Sequence, residues 1–480
     1  MNRLRIMLNA RKCFVFGAAL AAMFVVLAGG ANALAFITPY TVWHVSKTSP
    51  NINCSASVTT CQTIGSAVSW ASAGDVIMVA PGLYKEQVDI GTPSNLSIFG
   101  AQAGKDAREG RYGSDPTVES IVDAGGTKGP HGYGAAFYIN VNYTIIDGFT
   151  IQGGTSSQGD YTAGIFVNDD KYIHIVNNII QNNAVGIYAY EMGDGSVIER
   201  NLIRNNNNGG LGTHDQPSCC TLAGPGFGLI LDEPGDESDA NDNAFEGNKA
   251  TAIFVYDASV TTVSGSTSQN DGALLVITNS IAFHFSHNQG QNFGAKGTLP
   301  VMLVSSTPTA ADAAIDIAGP DYNEDLQIHG NVLIGGRKTP AGYNGIALST
   351  VFGVIDACDT GCEISGNKIS GFPGNGIVAQ SVTGTSYGTL DYGAVTNNDV
   401  EDNRGVGILI ESSFSGSTEY NQYNAIVDNH VEDNHVDDCV DNTVGPDSSY
   451  LGTSGTANLW FNDIGQLSRP SGLCGPRMWH

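Results

Sequence analysis

Charge is scarce in this 480-residue chain: 14% of residues are charged, and the 21 Lys and Arg are outnumbered by 47 Asp and Glu. So few cations argue against a nucleic-acid partner, because phosphate binding draws on clustered basic side chains. Aromatic residues reach only 8%. Long apolar runs are absent after residues 14–27, so no later segment approaches the ~20 apolar residues of a spanning helix. No CxxC pair recurs, which disfavours a cysteine-bound metal. Blocks of like charge are missing too, and with them the usual mark of disorder.

Glycine and asparagine are plentiful, at 61 and 40 positions. Both tolerate left-handed backbone, so the composition predicts a tight corner every few residues and excludes long helices. With 41% hydrophobic residues the chain can still bury a large core. At the start, Arg3, Arg5, Arg11 and Lys12 precede the apolar run, and GGANALA follows it. This is the pattern of a secretory signal cleaved after Ala33 or Ala35, and it predicts a secreted or periplasmic protein without stable membrane insertion. Cleavage leaves 17 basic against 47 acidic residues in the mature chain. Cys13 departs with the signal. The other eight cysteines form an even set suited to an oxidising compartment. Proximity suggests Cys54 with Cys61, Cys358 with Cys362, and Cys439 with Cys474, while adjacent Cys219 and Cys220 have no assigned partners.

From Tyr143 onward one phrase recurs: an apolar pair, an Asn corner, another apolar pair, then Gly and an alternating run. It appears in IHIVNNIIQNNAVGIYAY, CEISGNKISGFPGNGIVAQ and AVTNNDVEDNRGVGILIE. Asn178 to Asn201 spans 23 residues, Ser266 to Asn288 spans 22, and Asn398 to Asn429 spans 31, the longer intervals implying loop insertions. About 22 residues with three short strands and three turns fit one coil of a parallel β-helix, stacked ~4.8 Å from the next. The recurring Asn is then expected as a structural ladder of side-chain amides.

The N-terminal stretch CQTIGSAVSWASAGDVIMVAPGLYKEQVDI, followed by LSIFGAQAG and SIVDAGG, resembles the opening of pectin-lyase-like right-handed parallel β-helix proteins. The resemblance implies an all-β solenoid over 36–480, divided into 36–142, repeat coils 143–435 and a disulfide-clipped tail 436–480. It also implies a capping helix near Gln62–Ser72 that plugs the end of the core. Family chemistries match only in fragments. GLYKE has the GxYxE form of pectin methylesterases without their later motifs, and HVDDCVDN resembles a polygalacturonase aspartate pair without its neighbours. THDQP, around His214, faintly resembles a mannuronan epimerase motif. Fold is therefore specified more strongly than reaction.

Aligning coils on the strands that begin at Gly164, Gly186, Gly228, Ala252 and Ala273 sends Ile165, Ile187, Leu229, Ile253 and Leu274 inward, with Val167, Ala189, Leu231, Val255 and Val276 in a second core row. Phe166, Tyr188, Ile230 and Phe254 then face outward, followed by Asn168, Tyr190, Asp232 and Tyr256. Asp169, Glu191, Glu233 and Asp257 stand beside them. This predicts an aromatic and acidic stripe able to stack sugar rings and carry out acid–base chemistry. The candidate catalytic residues are Asp169, Glu191, Glu233, Asp257 and His214. Candidate sugar contacts are Phe166, Tyr188, Tyr190, Tyr256 and Arg200. Asp232, Glu233 and Asp257 could instead hold Ca²⁺, the one candidate cofactor, or the acids could simply be solvated while the rings pack beneath the loop 209–243. The expected partner is an extracellular polysaccharide, cleaved by a lyase or a glycoside hydrolase and engaged by a monomer. The competing expectation is a non-catalytic surface or matrix protein.

Overall fold

The computed structural model describes residues 40–129, 131–212, 216–217, 221–222, 224–294, 302–304, 307–309, 313–319, 323–350, 358, 361–381, 390, 392–412, 421–443 and 458–476. The expected signal segment, Cys219, Cys220 and His214 lie outside these residues. Tyr40–His480 makes up one compact unit.

Each coil contributes one short strand to each of three parallel sheets. In one coil these are His174–Val176, Ile179–Gln181 and Val185–Tyr190. Among the described residues the first, second and third sheets contain 15, 12 and 13 strands. Alternation sends the middle residue of each three-residue strand inward, so Ile175, Ile198, Ala240, Val263 and Phe285 stack at successive rungs of the first sheet. The second sheet repeats the pattern with Ile180, Ile203 and Phe245.

Corners between the first and second sheets are held by the expected amide ladder. The Asn201 Oδ1 accepts from the backbone N–H of Asn178 at 2.9 Å, and the Asn243 Oδ1 accepts from that of Asn201 at 3.1 Å. The same contact recurs through Asn288, Asn331, Asn367, Asn398 and Asn429 to Asp463. Each amide also donates to a buried backbone carbonyl, as Asn201 does to Ile175 at 2.8 Å. Strand edges that the short loops leave unpaired are thereby satisfied. A second ladder, Asn183–Asn206–Asn248–Asp271, runs between the second and third sheets.

The helix is Ile64–Trp70, inside the expected span, and it buries Ile64, Ala67 and Val68. Its first N–H groups at Ile64 and Gly65 donate to the carboxylate of Glu86, at 3.1 and 2.9 Å. The Tyr84 hydroxyl donates to the carbonyl of Ala80 at 2.8 Å from a fully buried ring. The GxYxE phrase therefore closes the cap. HVDDCVDN is likewise structural: Asp438 accepts from the backbone of Asn434, Gln466 and Leu467, and Asp437 pairs with Arg469. Disulfides join Cys54–Cys61, Cys358–Cys362 and Cys439–Cys474.

One register expectation is corrected. In the coil after Thr251–Tyr256, Leu275 and Ile277 pair with Ile253 and Val255 and face the core, while Val276 pairs with Phe254 and faces out. The inward row thus starts at Leu275, one residue later than the alignment on Ala273 placed it.

Asp271 ends the second ladder fully enclosed, and burial pushes its carboxyl up to about 7 against the hydrogen bonds from Ser268 and Asn248 that favour its charge. The folded state holds this proton more tightly than the unfolded chain. The stability it contributes is complete below about pH 4 and is lost as pH rises through about 7. Asp271→Asn keeps the acceptor and removes the charge. Its Tm, measured by calorimetry, should gain steadily on the wild type between pH 5 and 8, whereas a constant difference would contradict a protonated Asp271.

Candidate functional site

The outer face of the third sheet carries the residues singled out from the sequence. Strands Ile165–Asn168, Val185–Tyr190, Phe227–Asp232 and Thr251–Tyr256 pair in sequence, with Asn168, Tyr190, Asp232 and Tyr256 at matching rungs. The next residue in each coil is Asp169, Glu191, Glu233 or Asp257. All four adopt left-handed backbone, with φ of 54°, 46°, 51° and 51°. Each donates its N–H across the same corner, as Glu191 does to the Asp232 carbonyl at 2.8 Å and Glu233 to that of Tyr256 at 2.9 Å. Four acidic residues therefore form one column at about 4.8 Å per coil. Asp169 and Asp257 are exposed, Glu191 and Glu233 half-buried.

The aromatic half differs from expectation. Phe166 and Tyr188 are 1% exposed and Tyr256 is 7% exposed, so they offer no open face to a sugar ring. They belong to a second apolar cluster outside the coil, with Tyr138, Phe227, Phe254 and Leu222, against which Tyr133, Tyr161, Tyr190 and Leu211 pack. Phe166 stacks on Tyr188 at 4.9 Å and on Tyr138 at 6.1 Å. Two insertions meet over this face: Thr221–Leu222 pairs antiparallel with Met302–Val304, which pairs in turn with Thr307–Thr309. Burying the ladder under its own insertion stabilises that cover, as the packing alternative anticipates. Tyr190 alone of the expected sugar contacts on this face is half-buried, and its hydroxyl is hydrogen-bonded to Glu191, which raises its pKa.

Asp232 sits beneath the column. Its side chain is 1% exposed, its Oδ2 accepts from the Tyr188 hydroxyl at 2.6 Å, and its Oδ1 has no partner. Burial, opposed by the Tyr188 hydrogen bond and reinforced by the charges of Glu233, Glu191 and Asp257, pushes its carboxyl up to about 7. Asp170, 5% exposed and with Oδ2 unpartnered, is also raised to about 7, by burial and then by Asp169. A run of acids over four coils thus contains two buried carboxyls that are protonated over much of the pH range in which ordinary carboxylates are ionised.

Other expected site residues fall elsewhere. Arg200 occupies a left-handed corner after the first-sheet strand Val197–Glu199, paired with Glu199 at 3.4 Å and close enough to Asp106 and Asp147 to act on their charge. It is not part of the stripe, because its strand lies one sheet away. Beyond those candidates, Lys171, two residues after Asp169, is bound to Asp194 at 3.2 Å. Among the described residues no group of three or more His, Cys, Asp or Glu side chains is gathered closely enough to hold a metal ion, and Asp232, Glu233 and Asp257 form no such cage. Sequence alignment of the coils missed Asp316. It is 3% exposed and pairs with Val276 on the same outer face. The alternation in AAIDIAG, with Asp between two inward isoleucines, is the signal that could have found it.

A family model described as a right-handed beta helix region matches residues 120–289. The fold is a right-handed parallel β-helix. Among solved structures, this β-helix is similar to DFA-IIIase from Arthrobacter chlorophenolicus A6, at 13% identity and a TM-score of 0.48 over 88% of this chain and 99% of that one. It is similar to the catalytic unit of a thermostable alpha-1,3-glucanase from Streptomyces thermodiastaticus strain HF3-3, at 12% and 0.48 over 92% and 71%. An alginate lyase from Paenibacillus sp. str. FPU-7 gives 12% and 0.42 over 73% and 95%. No curated protein sequence matches the chain.

Removing the Tyr188 hydroxyl should be costly, because Asp232 would then have neither oxygen partnered. Tyr188→Phe is expected to destabilise the β-helix by about 1–3 kcal/mol in denaturant unfolding at pH 5. Unchanged stability would show that the hydroxyl does not hold this carboxyl.

Proposed function

We propose that this β-helix is a secreted protein that binds an extracellular polysaccharide along the acid column of the third sheet and hydrolyses it. Glu191 and Glu233 are the reacting carboxyl pair, and Asp169 and Asp257 flank them. The observation that supports the reading is Asp232, a carboxyl raised to about 7 and enclosed directly behind that pair. Glycoside hydrolysis requires one carboxyl to give a proton while another acts as base or nucleophile, so a site must keep acids in different protonation states near neutral pH. Neutral Asp232 lets Glu191 and Glu233 stand on neighbouring coils without a buried charge behind them. Their backbones stand one coil apart, about 4.8 Å, and carboxyls brought to about 5 Å on such neighbouring coils would suit a retaining mechanism, in which the second carboxylate attacks the sugar. Of the bases elimination would need, Lys171 is engaged with Asp194 and Arg200 stands one sheet away, while His214 lies outside the described residues.

A non-catalytic role, as a rigid surface or matrix protein, is the second reading. It draws on the burial of Phe166 and Tyr188 beneath the insertions.

The mature protein, incubated with a panel of neutral and acidic polysaccharides, should release hydrated oligosaccharides detectable by mass spectrometry. Glu191→Gln and Glu233→Gln should each lower the rate by about 10²–10⁴-fold without changing Tm. Unsaturated products would replace hydrolysis with elimination. Full activity in both variants would remove the pair from the chemistry, and absence of product on every substrate would favour the non-catalytic reading.

A further inference from the structure

The second sheet carries a groove unrelated to the acid column. It has a volume of about 300 Å³ and is lined by Glu246, Thr267, Gln269, Gln289, Gln291 and Ile334, among others. Register explains its composition. Glu246, Gln269, Gln291 and Ile334 occupy one outward row on four successive coils, and Thr267 and Gln289 occupy the parallel row. On earlier coils the same face is covered by the excursion 101–119. Its Gly113 carbonyl accepts from Gln181, its Tyr112 carbonyl accepts from Arg204, and Arg111 is tied to Glu119 in a buried ion pair of 2.7 Å. Arg204 also donates to Gln181, so it closes the covered part of the sheet. The uncovered groove begins at the next rung, Glu246, and ends at Ile334, which is 45% exposed.

The lining selects a ligand class. Three primary amides stand exposed in the groove, and none of them is drawn into a side-chain hydrogen bond among the described residues. Each amide can donate and accept at once, which suits hydroxyl groups. Among the described lining residues only Glu246 is charged, and none is a cation that would attract an anionic ligand. The amide rows repeat at about 4.8 Å, close to the length of one sugar unit in an extended glycan, so successive rungs can address successive sugars. Tyr112, 79% exposed beside Arg204, adds an aromatic surface at one end.

We infer that this groove is a binding site for an uncharged glycan chain laid along the β-helix axis. The inference stands on the groove's own chemistry and does not require the acid column to be catalytic. Affinity electrophoresis of the mature protein in laminarin, xyloglucan, galactomannan and soluble starch tests it, with polygalacturonate as the anionic comparison. At least one neutral polysaccharide should retard the wild type. Gln269→Ala/Gln289→Ala/Gln291→Ala should weaken that retention by about tenfold or more, the effect of losing one or two net hydrogen bonds. In a Glu191→Gln/Glu233→Gln background the groove substitutions should cause the same relative loss of retention, which separates this site from the acid column. Gln269→Leu alone, at an exposed rung, provides a second variant should the triple one fail to fold. Hydrogen exchange should show protection at Thr267–Gln269 and Gln289–Gln291 in the bound state. Retention by none of the four neutral glycans, retention unaffected by both groove variants, or binding to polygalacturonate alone would overturn the assignment.

Discussion

Register between coils is the constraint on which the rest of this structure depends, and buried side-chain amides enforce it. A parallel strand of three residues makes too few backbone hydrogen bonds to resist slipping, and a slip of one residue would send its apolar side chain to solvent. An Asn at most of these corners, with Ser266 and Asp463 taking the place of two, prevents this. Its oxygen accepts the N–H of the preceding coil's corner and its nitrogen donates to a carbonyl inside the turn, as Asn201 does with Asn178 and Ile175. Moving one coil would break both contacts inside a dry corner, where an unsatisfied amide costs about 1–3 kcal/mol. The ladder therefore fixes which residues stack, and everything presented on the outer faces inherits that order.

That inheritance is why much of the molecule could be read from the sequence. Period-two alternation and the Asn spacing identified the coils, the inward rows and the column Asp169–Glu191–Glu233–Asp257, all of which follow from local pattern. The alignment slipped at DGALLVIT because Leu274 and Leu275 are both buried in the core, and only pairing with Ile253 distinguishes them. Asp316 was missed although its coil opens on Ala314-Ile315, the same phrase as Ala252-Ile253. Burial of Phe166 and Tyr188 was beyond pattern altogether. It arises from Leu222 and the pairing of Thr221–Leu222 with Met302–Val304, a contact between insertions about 80 residues apart that carry no repeat signal.

The three outer faces have correspondingly different chemistry. On the third sheet Asp232 is enclosed, and that burial turns an ordinary aspartate into an acid raised to about 7. On the second sheet the covering excursion stops at Arg204, and the amides beyond it remain wet and unpaired. The first sheet carries neither feature in its described part, and its outward residues, such as Ser264 and Asn241, bond to one another at 2.7 Å. One repeated scaffold thus produces distinct surfaces according to where insertions cover it.

The protonation of Asp232 is the measurement that bears most directly on this account. Carbon-detected NMR of the mature protein labelled at aspartate carboxyls, assigned by comparison with Asp232→Asn, would follow its titration from pH 3 to 9. A midpoint near 7 is the predicted result and would place a neutral acid behind Glu191 and Glu233 under mildly acidic conditions. A midpoint near the ordinary aspartate value of about 3.9 would contradict the account, because the carboxyl would then be solvated and the acid column would be no more than an exposed polar edge.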